Sequence, residues 1–150
     1  MEIERKFLVR GEFRDLAESR DDIVQGYLNM DKERTVRVRV RGGKGYITVK
    51  GPTNGVSRFE WEKEIPEEEA RTLLNLCPRV IDKTRYTVRH AGHVFEVDEF
   101  HGDNDGLVVA EIELKSENEE FERPEWLGEE VSYDRRYYNS CLLANPYKNW

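Results

Sequence analysis

The sequence predicts an α+β fold that is predominantly β: eight strands, mostly antiparallel, with a few flanking helices. Three observations carry this. Most segments alternate polar and apolar residues with period two. Gly- and Pro-centred turns separate them at short intervals. Helical stripes are confined to short stretches.

The elements follow in order. Residues 2–9 set Glu2, Glu4 and Lys6 against Ile3, Phe7 and Val9. Residues 23–30 (IVQGYLNM) and 34–41 (RTVRVRVR) make the second and third strands. The turn Gly42-Gly43-Lys44-Gly45 leads into a fourth strand at 46–50, closing a hairpin. Gly51-Pro52-Thr53-Asn54-Gly55 forms another turn before a fifth strand at 57–65. Pro66 opens a helix. Glu67, Glu68 and Glu69 favour its positive end, Ala70, Leu73, Leu74 and Cys77 form its apolar stripe, and Pro78 stops it. Strands follow at 80–89, 93–100 and 107–115, the first two joined by Ala91-Gly92. Residues 123–128 read as a loop, 134–143 as a final helix and 12–19 as a weak short helix.

At 150 residues with no linker or internal repeat, the chain reads as one domain spanning 1–150. Its net charge of −7 argues against nucleic-acid binding by bulk charge. No apolar run approaches the ~20 residues that span a bilayer, and the first ten residues lack the apolar core of a secretion signal. Two cysteines, Cys77 and Cys141, are too few for a disulfide scaffold. The expectation is a cytoplasmic protein with no membrane partner and the possibility of a homodimer.

The polar strand faces are almost wholly ionisable. They present Glu2, Glu4 and Lys6; Arg37, Arg39 and Arg41; Lys50; Arg58, Glu60, Glu62 and Glu64; Lys83 and Arg85; Glu96 and Asp98; and Glu111 and Glu113. Two arrangements compete. Either this is a solvated outer face, or the sheet closes with the ions inward. In the second case Val36, Val38, Val40, Phe59, Trp61, Phe95, Val97, Ile112 and Leu114 would face outward under helices. Three details favour closure. Like charges cluster within single strands, where solubility would favour mixing. Arginine, whose planar fork matches phosphate oxygens, dominates the middle strands. Each Glu-x-Glu pair sets two carboxylates ~6–7 Å apart on one face, a repulsive arrangement unless a cation is near. Carboxylates without His or Cys suit Mg²⁺ or Mn²⁺. A highly anionic, metal-chelating ligand such as a triphosphate fits such an interior.

The opening Glu2-Ile3-Glu4-Arg5-Lys6 resembles the signature of the CYTH superfamily, the triphosphate tunnel metalloenzymes. Its company strengthens the resemblance: Arg37-Val38-Arg39, Lys50, Arg58-Phe59-Glu60-Trp61-Glu62, Lys83-Thr84-Arg85-Tyr86, Glu96-Val97-Asp98 and Glu111-Ile112-Glu113. Residues 128–139 are similar to the C-terminal region of short bacterial members. The resemblance implies an eight-stranded antiparallel closed tunnel barrel that binds small anionic triphosphates with Mg²⁺ or Mn²⁺. It implies Glu2, Glu4, Asp98, Glu111 and Glu113 as metal-side carboxylates. Lys6, Arg37, Arg39, Lys50, Lys83 and Arg85 would hold phosphate, with Glu2, Glu4, Lys83 and Arg85 catalytic. Glu60, Glu62, Glu96, Glu130, Arg41, Arg58, Arg135 and Arg136 are further tunnel candidates. The implied activity is hydrolysis of a terminal phosphate, with inorganic tripolyphosphate as the leading substrate. Adenylate cyclase, thiamine or nucleoside triphosphatase, and a non-catalytic polyphosphate-binding module remain open. By contrast His90, His93 and His101 read as structural, and Tyr27 as packing.

Overall fold

The structure, a computed structural model, describes residues 2–150. Nine antiparallel strands run β1 (Glu2–Val9), β2 (Ser19–Asn29), β3 (Thr35–Arg41), β4 (Lys44–Asn54), β5 (Ser57–Ile65), β6 (Val80–His90), β7 (His93–Phe100), β8 (Val108–Glu113) and β9 (Leu127–Glu130). Helices α1 (Glu67–Leu74) and α2 (Asn139–Ala144) complete the regular elements. Strand order is β5-β4-β3-β2-β6-β7-β8-β1-β9, and pairing of β1 with β5 closes the first eight strands into a barrel. The closing register is short, Glu2 to Arg58 and Ile3 to Ser57. Among the described residues no helix is long and apolar enough to cross a membrane.

Hairpin chemistry sets much of the register. Gly42 and Gly43 both take positive φ between β3 and β4, the mirror-image turn that suits the strand twist. Ala91 and Gly92 do the same between β6 and β7, with Ala91 at φ +48°.

The apolar core lies mainly outside the barrel. Phe7, Phe95, Val97 and Ile112 point outward under a cover that includes Phe13, Leu114, Trp126 and Leu127. On the other side α1 lays Ala70 and Leu74 over Val38 and Val40. A third cluster joins Ile81, Phe100, Leu107 and Val109 to Tyr137, Leu142 and Leu143 from the α2 region. Val109 and Phe100 share the face of Glu111 and Asp98 through strand alternation. This cluster therefore stoppers the interior with apolar side chains, and α2 is its cover.

Several expectations change. β2 begins at Ser19, because its early residues pair with β6 as far as Thr87. β4 runs through the expected turn to Asn54, so the reversal falls at Gly55-Val56. The expected final helix is two pieces: a 3-10 turn at Arg135–Tyr137 capped by the Asp134 side chain, then α2 after an extended Tyr138. The segment 12–19 keeps only a 3-10 turn at Arg14–Leu16. Within the expected loop region β9 forms against β1, where Gly128 lies so close that a Cβ would sit 2.9 Å from the Leu8 carbonyl oxygen. Phe59 and Trp61 do point outward, but α1 packs over β2–β4 rather than β5, and they remain 53% and 48% exposed.

Two substitutions test these local arguments. A Cβ at Gly45 would meet the Ala70 Cβ at 2.5 Å, pushing α1 off the sheet. Gly45→Ala should cost about 1–3 kcal/mol in urea unfolding. Ala91→Gly removes a left-handed strain and should stabilise by roughly 1 kcal/mol. A neutral result for either would show that the turn or the contact relaxes.

Candidate active site

Strand closure turns the ionisable faces inward around a cavity of about 240 Å³. Eight basic side chains line it: Lys6, Arg37, Arg39, Arg41, Lys50, Arg58, Lys83 and Arg85. Seven glutamates join them: Glu2, Glu4, Glu60, Glu62, Glu96, Glu111 and Glu113. The lumen is nearly charge-balanced within a chain of net charge −7.

The balance is uneven in space. On β1 and β8, Glu4 lies opposite Glu113, and Lys6 opposite Glu111. Lys6 Nζ donates to Glu111 at 2.7 Å and to Glu4 at 3.1 Å. Lys50 Nζ reaches Glu2 at 3.2 Å and Glu60 at 3.5 Å. Burial and the neighbouring Glu111 and Glu2 outweigh Lys6 and push the Glu4 carboxyl up to about 8. Burial likewise raises Glu2 and Glu113, with glutamate neighbours adding to it. Burial also opposes ionisation of Glu111, but Lys6 and Arg85 overcome it and hold that carboxyl well below its usual range. This side of the lumen has more carboxylate than its cations satisfy.

The β3 side has the opposite imbalance. Arg37 and Arg39 share one oxygen of Glu62, at 3.6 and 3.5 Å. Thr48, in register with both Arg37 and Glu62, donates to that same oxygen at 2.7 Å. The buried Nε groups of Arg37 and Arg39 have no hydrogen-bond partner. Burial, then repulsion from Arg37 and Arg85, lowers Arg39 to about 10. Unsatisfied guanidinium groups here and crowded carboxylates opposite leave room for an anion and a cation together.

Asp98 does not reach the lumen. It is 1% exposed and accepts from Arg85 Nε at 2.7 Å and Arg85 Nη2 at 2.8 Å, while Lys83 Nζ lies at 2.8 Å. Burial alone would raise its carboxyl, but Arg85 and Lys83 draw it down to about 2. The structure places this expected metal-side carboxylate behind the cavity wall, where both its oxygens orient two lumen cations, Lys83 and Arg85. Burial lowers Lys83 to about 8 despite Asp98.

Three other candidates fall outside. Glu130 stands opposite outward-facing Phe7 and forms a two-point pair with Arg5 at 2.9 and 2.6 Å. Arg136 is exposed and tied to Asp134 at 2.7 Å, with its guanidinium over Trp150. Arg135 lines a separate cavity beside the lumen. Sequence reasoning also missed lumen residues. Tyr27, read as packing, lines the cavity, as do Thr35, Ser132, Tyr138, Asn139 and Ser140. Asn139 accepts from Lys83 Nζ at 3.2 Å. The one available signal was the polar Tyr138-Asn139-Ser140 run ahead of an apolar helix.

Among the described residues no three His, Cys, Asp or Glu side chains converge into a ready-made metal cage. Glu2, Glu4, Glu111 and Glu113 nevertheless form an oxygen-only donor set. Such donors would suit a hard divalent ion.

The electrostatics set two expectations. Folded Glu4 keeps its proton up to about 8, whereas the unfolded chain releases it near 4.5. The folded state therefore binds more protons between those values, and this site's stability contribution falls as pH rises. In divalent-free buffer the melting temperature of Glu4→Gln minus wild type should grow from pH 5 to pH 8; a flat difference would refute the shift. Asp98→Asn leaves Lys83 and Arg85 without their buried counter-charge and should cost about 3–5 kcal/mol. Unchanged unfolding would mean the triad is not structural.

The comparisons with known proteins agree with this geometry. The CYTH domain model matches residues 1–138. An inorganic triphosphatase of Acetivibrio thermocellus is 51% identical over 154 aligned residues, covering 99% of this chain and 97% of that protein. An inorganic triphosphatase of Nitrosomonas europaea is 37% identical, covering 96% and 97%. A crystal structure of an inorganic triphosphatase superposes with a TM-score of 0.71 at 35% identity, covering 95% of this chain and 94% of the other. The match takes in every strand of the barrel and the charged lumen it encloses: this chain belongs to the CYTH domain family.

Proposed function

We propose that the protein is an inorganic triphosphatase that removes the terminal phosphate of tripolyphosphate with Mg²⁺ or Mn²⁺ as cofactor. One observation carries the reading: in a lumen of about 240 Å³, unpartnered arginine Nε groups share the space with carboxylates whose pKa values are raised by burial first and by neighbouring glutamates second. A metal–polyphosphate complex carries both charges needed to relieve the two imbalances. The identity of the relatives supports the substrate.

Phosphoryl transfer asks the protein for positioning and neutralisation more than covalent chemistry. Arg37, Arg39 and Lys50 grip non-bridging oxygens from the β3–β4 wall, and Lys6 and Arg85 do so from β1 and β6. Lys83, held by Asp98 and Asn139, is directed at the same space. Glu2, Glu4, Glu111 and Glu113 would hold the divalent ion. Bound there, the ion supplies charge neutralisation and a water of lowered pKa. Glu60 and Glu62 keep Lys50, Arg37 and Arg39 oriented. Two free cysteines accord with a reducing, cytoplasmic setting.

Phosphate release from tripolyphosphate, with and without EDTA, tests the assignment. Chelation should abolish turnover and restored Mg²⁺ or Mn²⁺ should recover it. Arg39→Ala should lower kcat by about 10²–10³, the usual cost of losing one charge-stabilising donor. Near-normal turnover in Arg39→Ala, or cyclic nucleotide from ATP as the main product, would overturn the reading.

A further inference from the structure

We propose that Gln25 is a positioning residue for Arg39: its amide oxygen accepts a hydrogen bond from Arg39 Nε when bound tripolyphosphate draws the guanidinium into the lumen. The inference rests on the triphosphate reading and adds to it a residue that acts on the substrate without touching it. Gln25 lies on β2, has no exposed surface and does not line the lumen. It stands in register with Arg39 on β3 and Ile81 on β6, so its side chain sits between the cationic wall and the apolar stopper. Its Nε2 makes a long contact of 3.4 Å to the Tyr27 hydroxyl. Among the described residues its Oε1 has no hydrogen-bond partner. Turning the amide over does not remove the defect: the hydroxyl can donate or accept, and one amide atom would still stand alone. Beside arginine, which only donates, the oxygen is the atom that belongs.

Arg39 carries the matching defect, since its buried Nε is also unpartnered. Residues in register across two strands hold their Cβ atoms about 4.5–5.5 Å apart, within reach of two such long side chains. The two orphan atoms do not bond here because the guanidinium leans the other way. Strand order is β5-β4-β3-β2, and Arg39 Nη2 lies 3.5 Å from Glu62 on β5 while its guanidinium carbon sits 5.8 Å from the centre of the Tyr46 ring on β4. The hold of Glu62 is weak, because the same oxygen also faces Arg37 at 3.6 Å and accepts from Thr48 at 2.7 Å. A phosphate oxygen in the lumen offers Arg39 a stronger anion and releases it from Glu62. Its Nε then turns toward β2, and orphan donor meets orphan acceptor. Each buried orphan destabilises the free protein, and substrate binding removes both penalties at once.

The test is Gln25→Met, close in volume and without hydrogen-bonding amide groups. Two readouts separate positioning from packing: urea unfolding without ligand, and the dissociation constant of tripolyphosphate by calorimetry in EDTA. The unliganded midpoint should hold or rise, because an orphan oxygen is gone, while affinity should fall about tenfold, the scale of one hydrogen bond to a charged group. Gln25→Met/Arg39→Ala should bind no more weakly than Arg39→Ala alone. Lower unliganded stability with unchanged affinity would overturn the inference, by showing the amide already satisfied in the free protein. Additive losses in the double variant would also overturn it, since Gln25 would then act apart from Arg39. If Gln25→Met fails to fold, Gln25→Asn withdraws the amide by one methylene and should weaken binding likewise; full affinity there would overturn the proposal. Wild type that neither binds nor hydrolyses tripolyphosphate would instead remove the triphosphate reading on which the inference stands.

Discussion

A barrel with an ionic interior cannot be held together by burying that interior. Everything else in this molecule follows from that constraint. The apolar face of each strand has to find its cover outside, and it does so in separate patches. One is Phe13, Phe121 and Trp126 over β1 and β6–β8; another is α1 over β2–β4. Inside, each charge must be answered by another charge or by a ligand, since desolvating a lone ion is costly. Most are answered within the wall. Those left over, arginine Nε groups on β3 and crowded carboxylates on β1 and β8, define the ligand by subtraction.

The buried triad of Asp98, Lys83 and Arg85 shows how the scaffold spends charge on positioning. The Asp98 carboxylate has both oxygens engaged by these two cations. It can fix two long, flexible cations whose freedom would otherwise have to be lost when substrate binds. Asn139 gives Lys83 a second anchor from the α2 region. The C-terminal segment therefore does two things: it stoppers the interior with Leu142 and Leu143, and its first turn tunes the lumen.

Much of the site was legible because strand alternation is a strict rule. Once β1, β3–β6 and β8 are placed, parity alone sends Glu2, Glu4, Lys6, Arg37, Arg39, Lys50, Glu111 and Glu113 to a common face. The same rule stops short at Asp98. It lies on the inward face, but parity says nothing of how deep a residue sits or which neighbour claims it. Glu130 was misplaced because β9 is only four residues long and has no alternation to read. Its outward direction comes from pairing with Phe7. The apolar stopper was invisible for a related reason. Ile81, Phe100 and Val109 look like ordinary core in sequence, and only the closed barrel puts them inside.

The sequence by itself determined the strand count of the barrel, the ionic character of one face and the residue types needed for a polyanion and a hard cation. These properties are local, written in period two and in side-chain chemistry. The tertiary structure decided which charges cancel, which are left over and where the lumen ends. Those are properties of distance between residues far apart in the chain, such as Lys6 and Glu111 or Lys83 and Asn139. Coulomb energy depends on separation and burial, and neither exists until the barrel closes.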